Sequence, residues 1–153
     1  MALINQADDH ANWFEVLEIW EKIANWIHYQ TPESQLRSQI KAMLVFLWNE
    51  KDWLIGQYPT KHDKIEQRIK NSVYMGVVGD LANTVKHRHL TRKPRSSANQ
   101  TDYFGKVTVS RGIGRRLYYV KLGNKRHVEI MNILRGALDE FEELRGSLLS
   151  GLL

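Results

Sequence analysis

Residues 9–56 read DHANWFEVLEIWEKIANWIHYQTPESQLRSQIKAMLVFLWNEKDWLIG. Trp13, Val16, Leu17, Trp20, Ile23, Ala24 and Ile27 recur at i, i+3, i+4 and i+7, the spacing of a helix with one buried stripe. Glu15, Glu18, Glu21 and Lys22 take the other side, and Asp8 and Asp9 precede the run, so a helix is expected over about 9–29. Thr31-Pro32-Glu33 is a start signal. Thr caps, Pro loses nothing at the first helical position, and Glu favours the positive helix end. Leu36, Ile40, Met43, Leu44 and Leu47 then repeat at helical spacing, which predicts a second helix to about Ile55, ended by Gly56 and Tyr58-Pro59.

Outward from this pair the pattern continues. Thr60 is placed to cap a third helix, and Ile65, Ile69, Val73, Val77, Leu81 and Val85 mark its stripe. With no breaker before Pro94, that helix is expected to reach His89 or Leu90. Gly76 and Gly79 lie inside it, each at a cost of about 1 kcal/mol relative to Ala. The compensation expected is close approach of a neighbouring helix carrying Trp. Residues 91–102 (TRKPRSSANQTD) read as a loop.

The period then changes. Lys106–Arg111 and Arg116–Lys121 alternate around Gly112-Ile113-Gly114, which predicts a β-hairpin insertion at about 103–122. Gly123-Asn124 ends it, with Asn124 as the cap of a last helix over about 125–148. Val128, Met131, Leu134, Leu138, Phe141 and Leu144 mark its buried side. The expected fold is mainly α. It is one domain over 1–153, an antiparallel four-helix bundle with the hairpin between the third and fourth helices.

Charge is segregated along the chain. Residues 1–60 hold 4 Lys/Arg and 8 Asp/Glu, residues 61–128 hold 16 and 4, and residues 129–153 hold 2 and 5. The net values of −4, +12 and −3 sum to the chain's +5. A middle this basic is an electrostatic footprint for a phosphate-rich partner, RNA or DNA, or else the complement of acidic neighbouring faces. Lys86, Arg88, Arg92, Lys93 and Arg95 crowd the third helix's end. Arg111, Arg115 and Arg116 cluster at the hairpin tip. Tyr103, Phe104, Tyr118 and Tyr119 are placed either to stack on bases or to pack on the helices.

Asp80, Asn83 and His87 fall at i, i+3 and i+7, so they share one helix face. The row either orients a general base, with His87 moving the proton, or forms a structural hydrogen-bond network. His87 and His89 diverge by roughly 200° on a helix and cannot share an ion, and no other His pair has ligand spacing, so no metal and no cofactor is expected. With no Cys, thiolate chemistry and disulfides are excluded. The longest apolar run, around Met43–Trp48, is far short of the roughly 20 residues that span a bilayer. MALINQADDH has neither a basic nor an apolar leader region, so a cytoplasmic location is expected, with no membrane partner.

The stretch Gly79-Asp80-Leu81-Ala82-Asn83-Thr84-Val85-Lys86-His87-Arg88-His89-Leu90, followed by a hairpin and a closing helix, resembles a group of small bacterial and phage proteins. Their shared pattern is D-[IL]-A-N-x-x-K-H-x-x-L. That group in turn resembles the HEPN superfamily of helical bundles, found in toxin–antitoxin and phage-defence systems. The resemblance implies a bundle, a homodimer and, in active members, metal-independent RNA cleavage by an Arg and a His a few residues apart. Here Asn83 stands in place of the Arg when His89 is taken as the His, while His87 matches the K-H pattern. Three functions follow as expectations. They are a nucleic-acid or polyanion binder, a ribonuclease using His87 with Asn83 and Asp80, and an immunity-type scaffold for an acidic protein partner.

Overall fold

All five residues of the expected second stripe, Leu36, Ile40, Met43, Leu44 and Leu47, are fully buried, and their helix is the centre of the molecule. The computed structural model describes residues 9–26, 32–86, 98–110, 113–122 and 126–153. It is mainly helical with a small antiparallel sheet. The first helix, α1, spans Ala11–Trp26, and the second, α2, spans Glu33–Gln57. A short 3-10 turn, Pro59–Lys61, follows. Next come α3 (His62–Lys70) and α4 (Met75–Lys86). Strands β1 (Ala98–Ser110), β2 (Ile113–Leu122) and β3 (His127–Glu129) precede α5 (Ile130–Leu149). Helix α2 packs against α1, α4 and α5.

Local signals need several corrections. The Pro32 backbone is extended (φ −52°, ψ 134°), so Pro32 is the cap of α2 and not its first helical residue. Thr60 sits inside the 3-10 turn, and α3 starts at His62 with no side-chain cap. Residue 31 lies outside the described residues.

The single third helix expected over 60–90 is two helices. Val73, the apolar residue that carried the stripe across, is 71% exposed at the break. Ser72 Oγ donates to the Ile69 carbonyl (2.6 Å) and accepts from the Gly76 N–H (3.3 Å), so one hydroxyl serves both helix ends. The start of α4 is capped from far away in the chain: Glu140 of α5 accepts from the N–H groups of Tyr74 (3.0 Å) and Met75 (3.2 Å). A carboxylate at a helix N-terminus satisfies orphan donors and meets the positive end of the dipole. Periodicity cannot register such a partner.

Gly79 behaves as expected. A Cβ there would come within 2.8 Å of the Trp48 ring, so the side-chain-free position is what lets α2 and α4 approach.

The sheet differs from the expected hairpin in two ways. Strand β1 begins at Ala98, so residues 98–102, expected as loop, are extended; Ala98 pairs with Leu122, and the register shifts before Tyr103 pairs with Val120. An edge strand needs only its inner backbone ladder, so polar residues tolerate it. A third strand, β3, pairs antiparallel with β2 through Tyr119↔Glu129, Val120↔Val128 and Lys121↔His127. The last helix therefore starts at Ile130, not at about 125, and its cap is Glu129 rather than Asn124. The Glu129 carboxylate accepts from Met131 N–H (3.0 Å) and Asn132 N–H (3.2 Å). Val128 belongs to β3, while Leu134, Leu138, Phe141 and Leu144 are buried as expected.

Candidate functional site

The polar row of α4 divides at the helix end. Asp80 is 1% exposed, among the core residues Val78, Leu81 and Ala82. Asn83, one turn on, is half-buried, and the Thr84 hydroxyl donates back to the Asp80 carbonyl at 3.0 Å. His87, the third member, lies outside the described residues, as do His89, Arg88, Arg92, Lys93, Arg95 and Arg111. Lys86 is the last residue of α4. A carboxylate as deep as Asp80 is retained only with partners around it, the requirement of a structural network. Among the described residues no group of three His, Asp or Glu is arranged to hold a metal ion. Among them, too, no helix is long and apolar enough to cross a membrane.

The sheet sorts the aromatic and basic residues by register. In β2, Tyr118 and Val120 are fully buried in the core, while Leu117, Tyr119 and Lys121 are half-buried. Tyr118 is thus a packing residue, with the Arg37 guanidinium of α2 over its ring at 5.7 Å. Side chains alternate along a strand, which is why Tyr118 and Tyr119 take opposite faces. The pairings place Phe104 opposite Tyr119, Lys106 opposite Leu117 and Thr108 opposite Arg115. Among the residues whose side chains are described, the face alternate to the buried one holds Leu117, Tyr119 and Lys121 of β2 with their β3 partners Glu129 and His127. The sheet packs on α4 through β1 and on α5 through β2 and β3. Ala98 pairs with Leu122 at one end of the ladder, and Ser110 pairs with Ile113 at the other.

A third feature escaped sequence reasoning. Glu50 of α2 is 1% exposed, and Arg145 of α5 donates to it at 2.6 Å. Asn12 of α1 donates to the second Glu50 oxygen at 2.8 Å and to the Phe46 carbonyl at 3.0 Å. Arg145 lies 4.9 Å from the Trp13 ring and donates toward His10 Nδ1 at 3.0 Å. Burial pushes the Glu50 carboxyl above its ordinary range, and the Asn12 and Arg145 contacts pull partly the other way. The network ties three helices together across long sequence separations. Its signal was present in the chain: residues 36, 40, 43, 47, 50 and 54 form one stripe at alternating steps of four and three, and Glu50 is its one charged member. Arg145, Asn12 and His10 carry no comparable mark.

Comparison of the chain with protein-family models, with curated proteins and with solved structures gave no match.

Proposed function

We propose that this chain binds nucleic acid or a related polyanion through its basic middle third. The carrying observation is the net +12 of residues 61–128, in the stretch that forms α3, α4 and the β1–β2 pair. Helix ends attract one or two cations, but a run continuing through Arg92, Lys93 and Arg95 exceeds what a helix dipole rewards. Arg115 and Arg116 add to it on β2. In this reading α1, α2, the broken α3–α4 pair and α5 are the four helices of an antiparallel bundle that carries the sheet. Their packing around α2 supports it. The HEPN resemblance suggests a phage-defence or toxin–antitoxin setting, and RNA as the first ligand to try.

The test is a binding titration across salt concentrations. Substituting Ala for Arg92, Lys93 and Arg95 together is expected to weaken binding. It should also flatten log K against log salt by up to about one unit per lost phosphate contact. A triple variant with wild-type affinity and slope removes this segment from the interface. Incubation with RNA in the same experiment tests the ribonuclease reading, which alone requires turnover.

A further inference from the structure

We propose that the notch between the end of α3 and α5 binds a free α-amino acid, with its carboxylate on Arg68 and its ammonium on Glu143 and Glu140. This is a second ligand, independent of any polyanion. The notch is a cavity of about 290 Å³, partly open to solvent. Arg68, in the last turn of α3, lines it together with Asn71 and Ser72 of the break that follows. Glu140 and Glu143 line it from α5, and Met75, the first residue of α4, adds apolar surface. Residues three apart share a helix face, so Glu140 and Glu143 present two carboxylates to the same space.

The two helices bring opposite charges that do not pair across the gap. Among the described residues, Arg68 and Glu143 have no ion pair and no side-chain hydrogen bond, and the Asn71 amide is uncommitted too. Glu140 is held where it is, because its carboxylate accepts from the N–H groups of Tyr74 (3.0 Å) and Met75 (3.2 Å). It cannot turn to Arg68 without uncapping α4. A carboxylate has about four acceptor positions, so Glu140 can still take a proton from an ammonium. The Ser72 hydroxyl is fixed between the Ile69 carbonyl and the Gly76 N–H. The polarity then selects the ligand. A phosphate or other plain anion reaching Arg68 meets two carboxylates, and a plain cation reaching the carboxylates meets Arg68, so the wrong contact offsets the right one. A small zwitterion pairs at both ends. The Arg68 guanidinium is a planar fork suited to a carboxylate, and an ammonium has three donors for the two Glu side chains and the Asn71 oxygen. The volume lies at the lower limit of the roughly 300–1,000 Å³ usual for small-molecule sites, which suits a single amino acid rather than a nucleotide. The buried Met75 thioether can adapt to an apolar side chain.

The experiment is isothermal titration calorimetry on the full chain at pH 7 with each standard α-amino acid, followed by the N-acetyl and C-amide derivatives of the strongest binder. Wild type is expected to bind at least one free amino acid one-to-one, with apolar side chains preferred and a Kd of about 1 mM or tighter. Acetylation removes the ammonium charge and amidation removes the carboxylate, so each derivative should bind about tenfold more weakly or worse. Arg68→Gln and Glu143→Gln should each weaken the free amino acid by about tenfold. Both should melt at the wild-type temperature, because neither side chain has a partner to lose. Arg68→Gln should not weaken the amide further, and Glu143→Gln should not weaken the acetylated form further, since the matching ligand group is already gone. Absence of binding by every amino acid up to about 10 mM overturns the inference. Derivatives that bind as tightly as the parent overturn it as well, as do folded variants with wild-type affinity. The derivatives are compared on the wild-type chain, so they decide the matter even where a variant fails to fold.

Discussion

Removing Arg145 should convert a satisfied buried ion pair into an isolated buried acid, with a cost that depends on pH. Arg145→Met keeps most of the stem that covers Trp13 and deletes the charge 2.6 Å from Glu50. Glu50, 1% exposed, then keeps only Asn12 as a donor. It must stay ionised without its cation or take up a proton on folding. The second route sets a ceiling. An unfolded Glu ionises near pH 4.3, so protonating it at pH 7 costs about 2.7 pH units at about 1.4 kcal/mol each, or roughly 4 kcal/mol. At pH 5 the same ceiling is about 1 kcal/mol. The pH 7 value agrees with the 3–5 kcal/mol or so typical of breaking a buried pair.

The sign is consistent with the native protein. The Glu50 carboxyl already lies above its ordinary range in the folded chain because burial disfavours the charge. Its contribution therefore weakens as pH rises through its folded value, and the variant, with a still higher value, must weaken further over a wider range. Urea unfolding followed by circular dichroism at pH 5 and pH 7 measures both. The expected loss is about 3–4 kcal/mol at pH 7 and about 1–2 at pH 5, the residue of lost packing being independent of pH. Adding Glu50→Leu should recover most of the pH 7 loss, since an apolar pair replaces the stranded charge. Equal losses at the two pH values, or a double variant no better than the single, would refute the reasoning.

Three further outcomes are expected. Gly79→Ala should destabilise by about 1–2 kcal/mol in thermal or urea unfolding, because crowding the Trp48 ring outweighs the roughly 1 kcal/mol gain in helix propensity; Gly146→Ala, where a Cβ meets nothing within 4 Å, should be neutral or stabilising. His87→Ala should cost roughly 1–3 kcal/mol if it completes a structural row with Asp80 and Asn83, with His89→Ala as the control; an unchanged melting temperature together with loss of an RNA-cleaving activity would make His87 an acid–base group instead. The homodimer implied by the HEPN resemblance should sediment at twice the chain mass of 17.9 kDa. Phe14, 61% exposed, and Leu17, 40% exposed, are large apolar residues on α1 that a second copy would cover, and Phe14→Glu should then shift the species toward monomer.

The elements were legible in the chain because each carries its own period. Alternation gave β2, all five residues of the expected α2 stripe are buried, and so are Leu134, Leu138, Phe141 and Leu144 of α5, whereas Val128 belongs to β3 and Met131 is half-buried. Gly79 was legible because a glycine in mid-helix needs a neighbour, and Trp48 is that neighbour. These are local quantities: spacing, propensity and the conformational cost of one residue. The break between α3 and α4, the start of α5 and the burial of Glu50 are different in kind. The break depends on Glu140, 66 residues beyond Tyr74, offering its carboxylate to two backbone donors. The start of α5 depends on β3 finding the edge of β2, which holds residues 127–129 extended and leaves Glu129 as the cap. Glu50 is stable in the core only because Asn12 and Arg145 arrive from two other helices. The candidate site divides the same way. Charge segregation is a sum along the chain, so the sequence alone determined it. Which tyrosine packs and which faces outward depends on strand register against a core, and only the tertiary structure decided that, because a shift of one residue exchanges the two faces of a strand.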